Sequence, residues 1–282
     1  MHPLTTYSLK DKKLLPYSLS TSHEFFLKSV LSESKTNNFS LGYVFRDDPN
    51  SPIHRNQFIM LEWYRIQSQY QDLFIDLENI LKESSEFFNN QDFTNDLWPK
   101  NHTLVKMSMR NFILDHFNFD FTLYPKQNDF AKIIHEKFPE IKFYPDLAWD
   151  DLFNLFFLNK VEPILKKIPA IILFEFPIQL RALAQTNNTH SLLADRFELY
   201  CFGIEIANGY QEITNTETIN QILENNLKCK KEIYNYEFPQ ESFNLNQLAK
   251  LKSISYSGIS LGTERLFSIL SKTKNSFLSD LF

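Results

Sequence analysis

The chain has 282 residues, 43% of them apolar and 15% aromatic, with a formal net charge of −5. That length accommodates one large domain or two small ones with a sizeable core. The acidic balance argues against a dedicated nucleic-acid binder, and two cysteines without a CxxC pair argue against a disulfide framework.

Residues 1–17 read as a polar N-terminal extension of mixed charge. "SLSTSHEFFLKSVL" reads as a loop entering a short helix, with Ser22 as N-cap and Glu24 in the first turn. A polar loop follows from Asp47 to Pro52. Phe58, Met60, Glu62 and Tyr64 then alternate with Ile59, Leu61 and Trp63. Period two predicts a strand whose wholly apolar set faces the core. The other set, with its carboxylate and phenol, reads as the lining of a site. Ser68 and Gln71 have capping-box spacing before a helix striped with Leu73, Leu77, Ile80 and Leu81.

Residues 86–150 are rich in Phe, Asn and Asp and form a divergent helical region without readable chemistry. Helices are predicted near 126–137 and 148–166, and "AIILFEF" as a buried strand. The apolar run from Ile168 to Ile178 is broken by Glu175 and Pro177 and is too short to cross a bilayer. No signal layout opens the chain, so a cytoplasmic protein without membrane contact is expected. Residues 196–213 read as a hairpin turning at Gly203, and 216–234 as a helix. "YSGISLGTERLFSILSKT" passes from a strand through Gly262 into a helix carrying Leu266, Ile269 and Leu270. The sum is α+β with a mostly antiparallel sheet flanked by helices.

Chemistry concentrates where glycine does. Gly42 precedes "YVFRDD"; Gly203 and Gly209 lie in the hairpin; Gly258 and Gly262 lie in the last strand. Arg46 and Arg265 could bind carboxylate or phosphate, and free N–H groups at a helix start beside Gly262 suit an anion. Glu198 and Glu205, on adjoining strands, would repel unless a cation intervenes. Two readings stay open from spacing alone: the arginines pair with these glutamates, or all four hold a magnesium triphosphate without a Walker loop. Glu212 taken alone reads as solvated surface. The seven histidines show no HExxH spacing and no GxSxG elbow occurs. His54 reads as a solvated loop residue, and the lone cysteines as packing residues.

"FRDD…HRNQFIMLEWY" resembles motif 2 of class II aminoacyl-tRNA synthetases, and "GISLGTERL" resembles motif 3. "FELYCFGIEIANGYQEIT" is similar to the lysine-type sheet between them. Within that family the likeness is to the lysyl-tRNA synthetase paralogue that attaches (R)-β-lysine to elongation factor P. The resemblance implies a single class II catalytic domain over 1–282, with ATP, Mg2+, lysine or β-lysine, and elongation factor P as cofactors and partners. It implies that Arg46 holds the α-phosphate and Arg265 the γ-phosphate. Asp47, Asp48, His54, Phe58, Glu205, Ile206 and Gly262 would complete the ATP site, with Phe58 stacked on adenine. Glu198 and Glu205 would bind the metal. Ser22, His23, Glu24, Glu62, Tyr64, Asn208, Tyr210 and Glu212 would form the amino-acid pocket, with Glu212 and Tyr64 at the distal amine and Glu24 at the nearer one.

The sequence departs from the family at named positions. His23 stands for proline, Asp48 for glutamate, Glu264 for aspartate, and Arg55 and Gln57 for residues usually Asn and Glu. Ser260 stands where the tRNA-charging enzymes have glycine and the β-lysine ligases alanine, which should reshape the pocket floor. The chain starts after the place of motif 1, on which the usual homodimer rests. No room is left for an N-terminal anticodon-binding domain, so complete tRNA charging is not expected. Other readings are an adenylate-forming enzyme with a tRNA or small-amine acceptor, or a non-catalytic paralogue that binds a nucleotide or partner.

Overall fold

The computed structural model describes residues 3–47, 54–90, 104–234 and 245–271. The first elements are β1 (Thr5–Ser8), β2 (Lys13–Ser18), α1 (Glu24–Ser34), β3 (Asn38–Phe45), β4 (Gln57–Ile66) and α2 (Asp72–Asn90). Then come β5 (Val105–Ser108), α3 (Met109–Phe117), α4 (Gln127–Lys137), α5 (Trp149–Phe156), α6 (Glu162–Leu165) and β6 (Ile171–Pro177). The chain continues through β7 (Leu193–Cys201), β8 (Ile204–Gln211), α7 (Thr216–Tyr234), α8 (Leu245–Ala249), β9 (Tyr256–Gly262) and α9 (Thr263–Ser271). Seven strands form a mostly antiparallel main sheet with flanking helices, the α+β arrangement expected. Two compact units are distinguished: Met1–Leu73 with Gln211–Phe282, and Phe74–Tyr210.

In the first unit the strand order is β3–β4–β9, all antiparallel, and β1 and β2 form a separate pair. The register sets Glu62 across from Ser260, Tyr64 across from Gly258 and Met60 across from Gly262. β4 alternates as period two predicts, but the set expected in the core is the less buried of the two. Met60, Glu62 and Tyr64 are buried, whereas of the apolar set Trp63 is buried and Ile59 and Leu61 are only half-buried. Helix α1 packs on β3 and β4 and covers the polar-bearing face. On the other face the partners of Ile59, Leu61 and Trp63 are Tyr43, Leu41 and Phe39, all exposed. Alternation reveals a strand, but the burial of a face depends on what packs against it.

The predicted capping box at Ser68 is not formed. Helix α2 starts at Asp72, whose carboxylate accepts the Gln69 N–H at 2.9 Å. The Ser68 hydroxyl instead donates to the Arg65 carbonyl at 2.8 Å and shares a 2.6 Å bond with Ser257. Tertiary partners have outcompeted the local cap.

In the second unit the order is β8–β7–β6–β5, and only β5–β6 is parallel. The predicted hairpin is present. Phe202 and Gly203 turn it with φ of 49° and 79°, and glycine tolerates the second at no steric cost. An aromatic core fills this unit. Trp149 stacks on Phe153 and on Phe130, and Phe121 meets Phe153 edge-on. A π-helical turn at Phe157–Val161 joins α5 to α6. Cys201 is buried in β7, while Cys229 on α7 is exposed rather than packed.

Candidate active site

The start of α1 and the middle of β4 and β9 build an acidic pocket within the first unit. Glu62 is 2% exposed. One of its oxygens accepts the Ser22 hydroxyl at 2.9 Å and the His23 N–H at 3.0 Å; the other accepts the Tyr64 hydroxyl at 3.0 Å. Ser22 is not the N-cap of α1. His23 holds that position without capping it through its side chain, while the Ser22 oxygen accepts the Glu24 N–H at 2.9 Å. The hydroxyl thus fixes the helix start and Glu62 together. Ser260, half-buried, lies across from Glu62 on β9.

Glu212 follows β8 and is 1% exposed, so it is not a solvated surface residue. Its neighbour Gln211 is clamped: the side chain accepts the Tyr70 N–H and donates to Ser68, Ser255 and Tyr256. The Glu212 N–H donates to the Tyr256 carbonyl at 3.1 Å. Gly258 leaves the room that Tyr64 and Glu212 occupy, since a Cβ there would lie 2.2 Å from the Tyr64 ring and 2.8 Å from Glu212 Oε1.

The sequence reading passed over Lys28. Its Nζ donates to Glu24 Oε1 and Glu212 Oε2, both at 2.6 Å, and the side chain is 2% exposed. The i, i+4 spacing of Glu24 and Lys28 on α1 was the legible signal. Burial pushes the Glu62 carboxyl up to about 7, helped by the charge on Glu24 and opposed by its three hydrogen bonds. Burial pushes Glu212 up to about 8, against the pull of Lys28.

The residues of this unit expected at the nucleotide lie at strand ends. Arg46 follows β3; its N–H donates to the Asn56 carbonyl, its carbonyl accepts the Asn56 side-chain amide, both at 2.9 Å, and its Nε donates to the Thr21 carbonyl at 3.1 Å. Its guanidinium stands 5.2 Å from the Phe58 ring centroid. Gly262 ends β9 where α9 begins, and the Thr263 hydroxyl ties that junction to the Ile59 carbonyl at 3.0 Å. Arg265 lies in the first turn of α9. Asp47 is exposed and His54 half-buried just before β4. Asp48 lies outside the described residues.

In the second unit Glu198 is 6% exposed. Its Oε1 takes the Arg196 Nη2 at 2.5 Å, and its Oε2 accepts the Tyr200 hydroxyl. Arg196 also donates to Asn208 at 3.3 Å and to the Leu180 carbonyl. Glu198 faces Asn208 across the hairpin, Tyr200 faces Glu205, and Arg196 faces Tyr210. Burial, then the charges of Glu198 and Glu205, push the Tyr200 hydroxyl far up, so both acids lie near it. Ile206, next to Glu205 in β8, is buried. The arginine that neutralises Glu198 is Arg196, which spacing did not single out. Among the described residues no group of three or more His, Cys, Asp or Glu is set to hold a metal. The glutamate pair alone offers the hard oxygen donors that suit magnesium.

The pocket residues Ser22, His23, Glu24, Glu62, Tyr64 and Glu212 thus come together in one unit, and Glu198, Glu205, Asn208 and Tyr210 share the hairpin of the other. The family model described as tRNA synthetases class II (D, K and N) matches residues 4–276. The chain is 30% identical over 264 residues to an elongation factor P–(R)-β-lysine ligase homolog of Aquifex aeolicus, covering 94% of this chain and 80% of that one. It is 27% identical over 258 residues to elongation factor P–(R)-β-lysine ligases of Yersinia pestis and Yersinia pseudotuberculosis, covering 87% of this chain and 71% of theirs. The motifs and the matched length agree: the chain belongs to the class II tRNA synthetases of the D, K and N group.

Proposed function

We propose that this protein activates lysine or β-lysine with ATP and transfers the aminoacyl group to a lysine of elongation factor P. The observation that carries the reading is the carboxylate trio of half-buried Glu24 with buried Glu62 and Glu212, in which Glu212 Oε1 has no hydrogen-bond partner among the described residues. A dry, unpaired carboxylate oxygen costs about 1–3 kcal/mol or more, and an incoming ammonium group relieves it. A neutral side chain would leave it unpaired, which favours a diamino acid.

The substrate carboxylate attacks the α-phosphorus of ATP. A carboxyl oxygen–phosphorus bond forms, the α–β phosphoanhydride breaks, and pyrophosphate leaves. The acceptor amine then attacks the acyl carbon, AMP leaves with the bonding pair, and the amine loses its proton. Arg46 is assigned to the α-phosphate and Arg265 to the γ-phosphate, where fixed positive charge stabilises the charge that develops. Phe58 is assigned to the adenine ring. Magnesium would be held by Glu198 and Glu205, with Arg196 giving up its partner, and would supply positive charge to the phosphates. The relatives named as (R)-β-lysine ligases support β-lysine and elongation factor P over tRNA.

ATP–pyrophosphate exchange tests the activation step. Exchange is expected with L-lysine or (R)-β-lysine and not with norleucine. Incubation with elongation factor P should then add the mass of one lysyl residue to it. No exchange with any diamino acid would sink the reading; exchange without protein modification would redirect it to another acceptor.

A further inference from the structure

Lys28 is the one member of the acidic pocket that spacing, motifs and the proposed roles leave without a task. It is not a solvated lysine: its side chain is 2% exposed and its ammonium lies 2.6 Å from two carboxylates. It also stands 5.7 Å from the centroid of the Tyr64 ring. Glu62 is fully occupied by neutral donors, the Ser22 hydroxyl, the His23 N–H and the Tyr64 hydroxyl. Glu212 is divided. Its Oε2 holds Lys28, and its buried Oε1 holds nothing among the described residues. A Cβ at position 258 would reach within 2.8 Å of that oxygen, so the glycine keeps the space beside it open.

We propose that Lys28 is a positioning and specificity-determining residue: it shares Glu212 with the substrate, taking one oxygen so that the other faces the substrate's distal ammonium. The inference rests on the proposed function, because it needs an amino acid to enter this pocket. With its carboxylates ionised, the trio and Lys28 together carry a net charge of −2, which two ammonium groups balance. Without Lys28 the trio would carry −3 in a buried site, and burial would drive a proton onto Glu212. A protonated Glu212 attracts a cation weakly. Lys28 therefore pulls Glu212 toward its charged form against burial and keeps it turned, and does not fill the substrate's place. The rival arrangement is a plug, in which Lys28 occupies the ammonium position and must leave before substrate binds.

Lys28→Met keeps the length and apolar stem of the side chain and removes the charge. Binding of L-lysine, (R)-β-lysine and the single amines norleucine and 6-aminohexanoate is measured by calorimetry from pH 6 to pH 9, with exchange kinetics alongside. The expected result is a KM for the diamino acid raised ~10-fold or more with kcat changed much less. The pH midpoint of binding should move upward. Lys28→Arg should retain more affinity than Lys28→Met, and added propylammonium should partly restore a Lys28→Ala variant, whose shortened side chain leaves room for it. Cooperative thermal unfolding of each variant establishes that it folds. Tighter or unchanged diamino-acid binding by Lys28→Met, with no shift in its pH midpoint, overturns the inference in favour of the plug while leaving the proposed function standing. Failure of the wild-type protein to bind any diamino acid overturns both.

Discussion

Tyr64 owes its place to a missing side chain. An alanine at 258 would put its Cβ 2.2 Å from the Tyr64 ring, well inside van der Waals contact, with Glu212 Oε1 on the other side at 2.8 Å. Neither neighbour yields easily, because Tyr64 is tied to Glu62 and Glu212 to Lys28. Gly258→Ala should therefore cost about 1–3 kcal/mol of stability and displace the ring that borders the pocket. The check is a denaturant melt beside exchange kinetics: the midpoint falls, and the KM for the diamino acid rises ~10-fold or more. An alanine variant with wild-type KM would show that Tyr64 does not border the bound substrate. At this scale the sequence was partly legible. Motif positions led to Glu24, Glu62, Tyr64 and Glu212, but spacing alone made Glu212 a surface residue. Its burial comes from the clamp on Gln211, whose partners Ser68, Tyr70, Ser255 and Tyr256 lie far away in sequence. Ser22 was read as a cap because its type suits one; its hydroxyl instead donates to Glu62, a partner no local pattern reveals.

Elements were more legible than their faces. The hairpin around Gly203, the strand β4, the strand β6 and the helices α4, α7 and α9 fall where alternation, glycine and apolar stripes put them. The carboxylate-bearing face of β4 is the more deeply buried because α1 covers it, which no periodicity in β4 encodes. The region 86–150 gave no chemistry, and its described part shows why: the phenylalanines of α3 and α4 go into packing, in the same core as those of the following helix α5. Phe153 illustrates the cost. It is 1% exposed and touches Trp149, Phe130, Phe121 and Phe156 through ring contacts. Phe153→Ala should lower stability by about 3–5 kcal/mol, because the surrounding rings cannot all collapse into the space. Urea unfolding measures it, and a loss under about 1 kcal/mol would mean that the rings repack freely. MgATP should stabilise whatever fraction of this variant remains folded, since none of these rings is assigned to the nucleotide.

Over the whole molecule, buried carboxyls make stability and ligand binding run in opposite directions with pH. Glu62 is raised from 4.5 to about 7 and Glu212 from 4.5 to about 8. Burial also raises Glu175 and Asp195 in the second unit. A carboxyl raised in the fold binds more protons folded than unfolded between the two values. Its stabilising contribution is complete below the unfolded value and is lost as pH climbs through the folded one. Asp120 runs the other way: burial opposes its charge, but Arg110 and Thr122 hold it below 3.8, so its contribution is lost only as pH falls. The ligand-free protein should therefore melt at progressively lower temperature from about pH 5 to about pH 8, then level off as Glu212 finishes titrating. A diammonium substrate prefers the ionised trio, so its stabilising effect should grow across the same interval, with proton release on binding. Melting curves from pH 5 to pH 9, with and without L-lysine, read both slopes. Replacing Glu62 with Gln should flatten the lower part of the ligand-free slope, and Glu212→Gln the upper part. A ligand-free melting temperature that holds steady or rises from pH 5 to pH 8 would mean that these carboxyls are already ionised in the fold. The pocket would then be open to water, and it would have no desolvated charge with which to select a diamino acid.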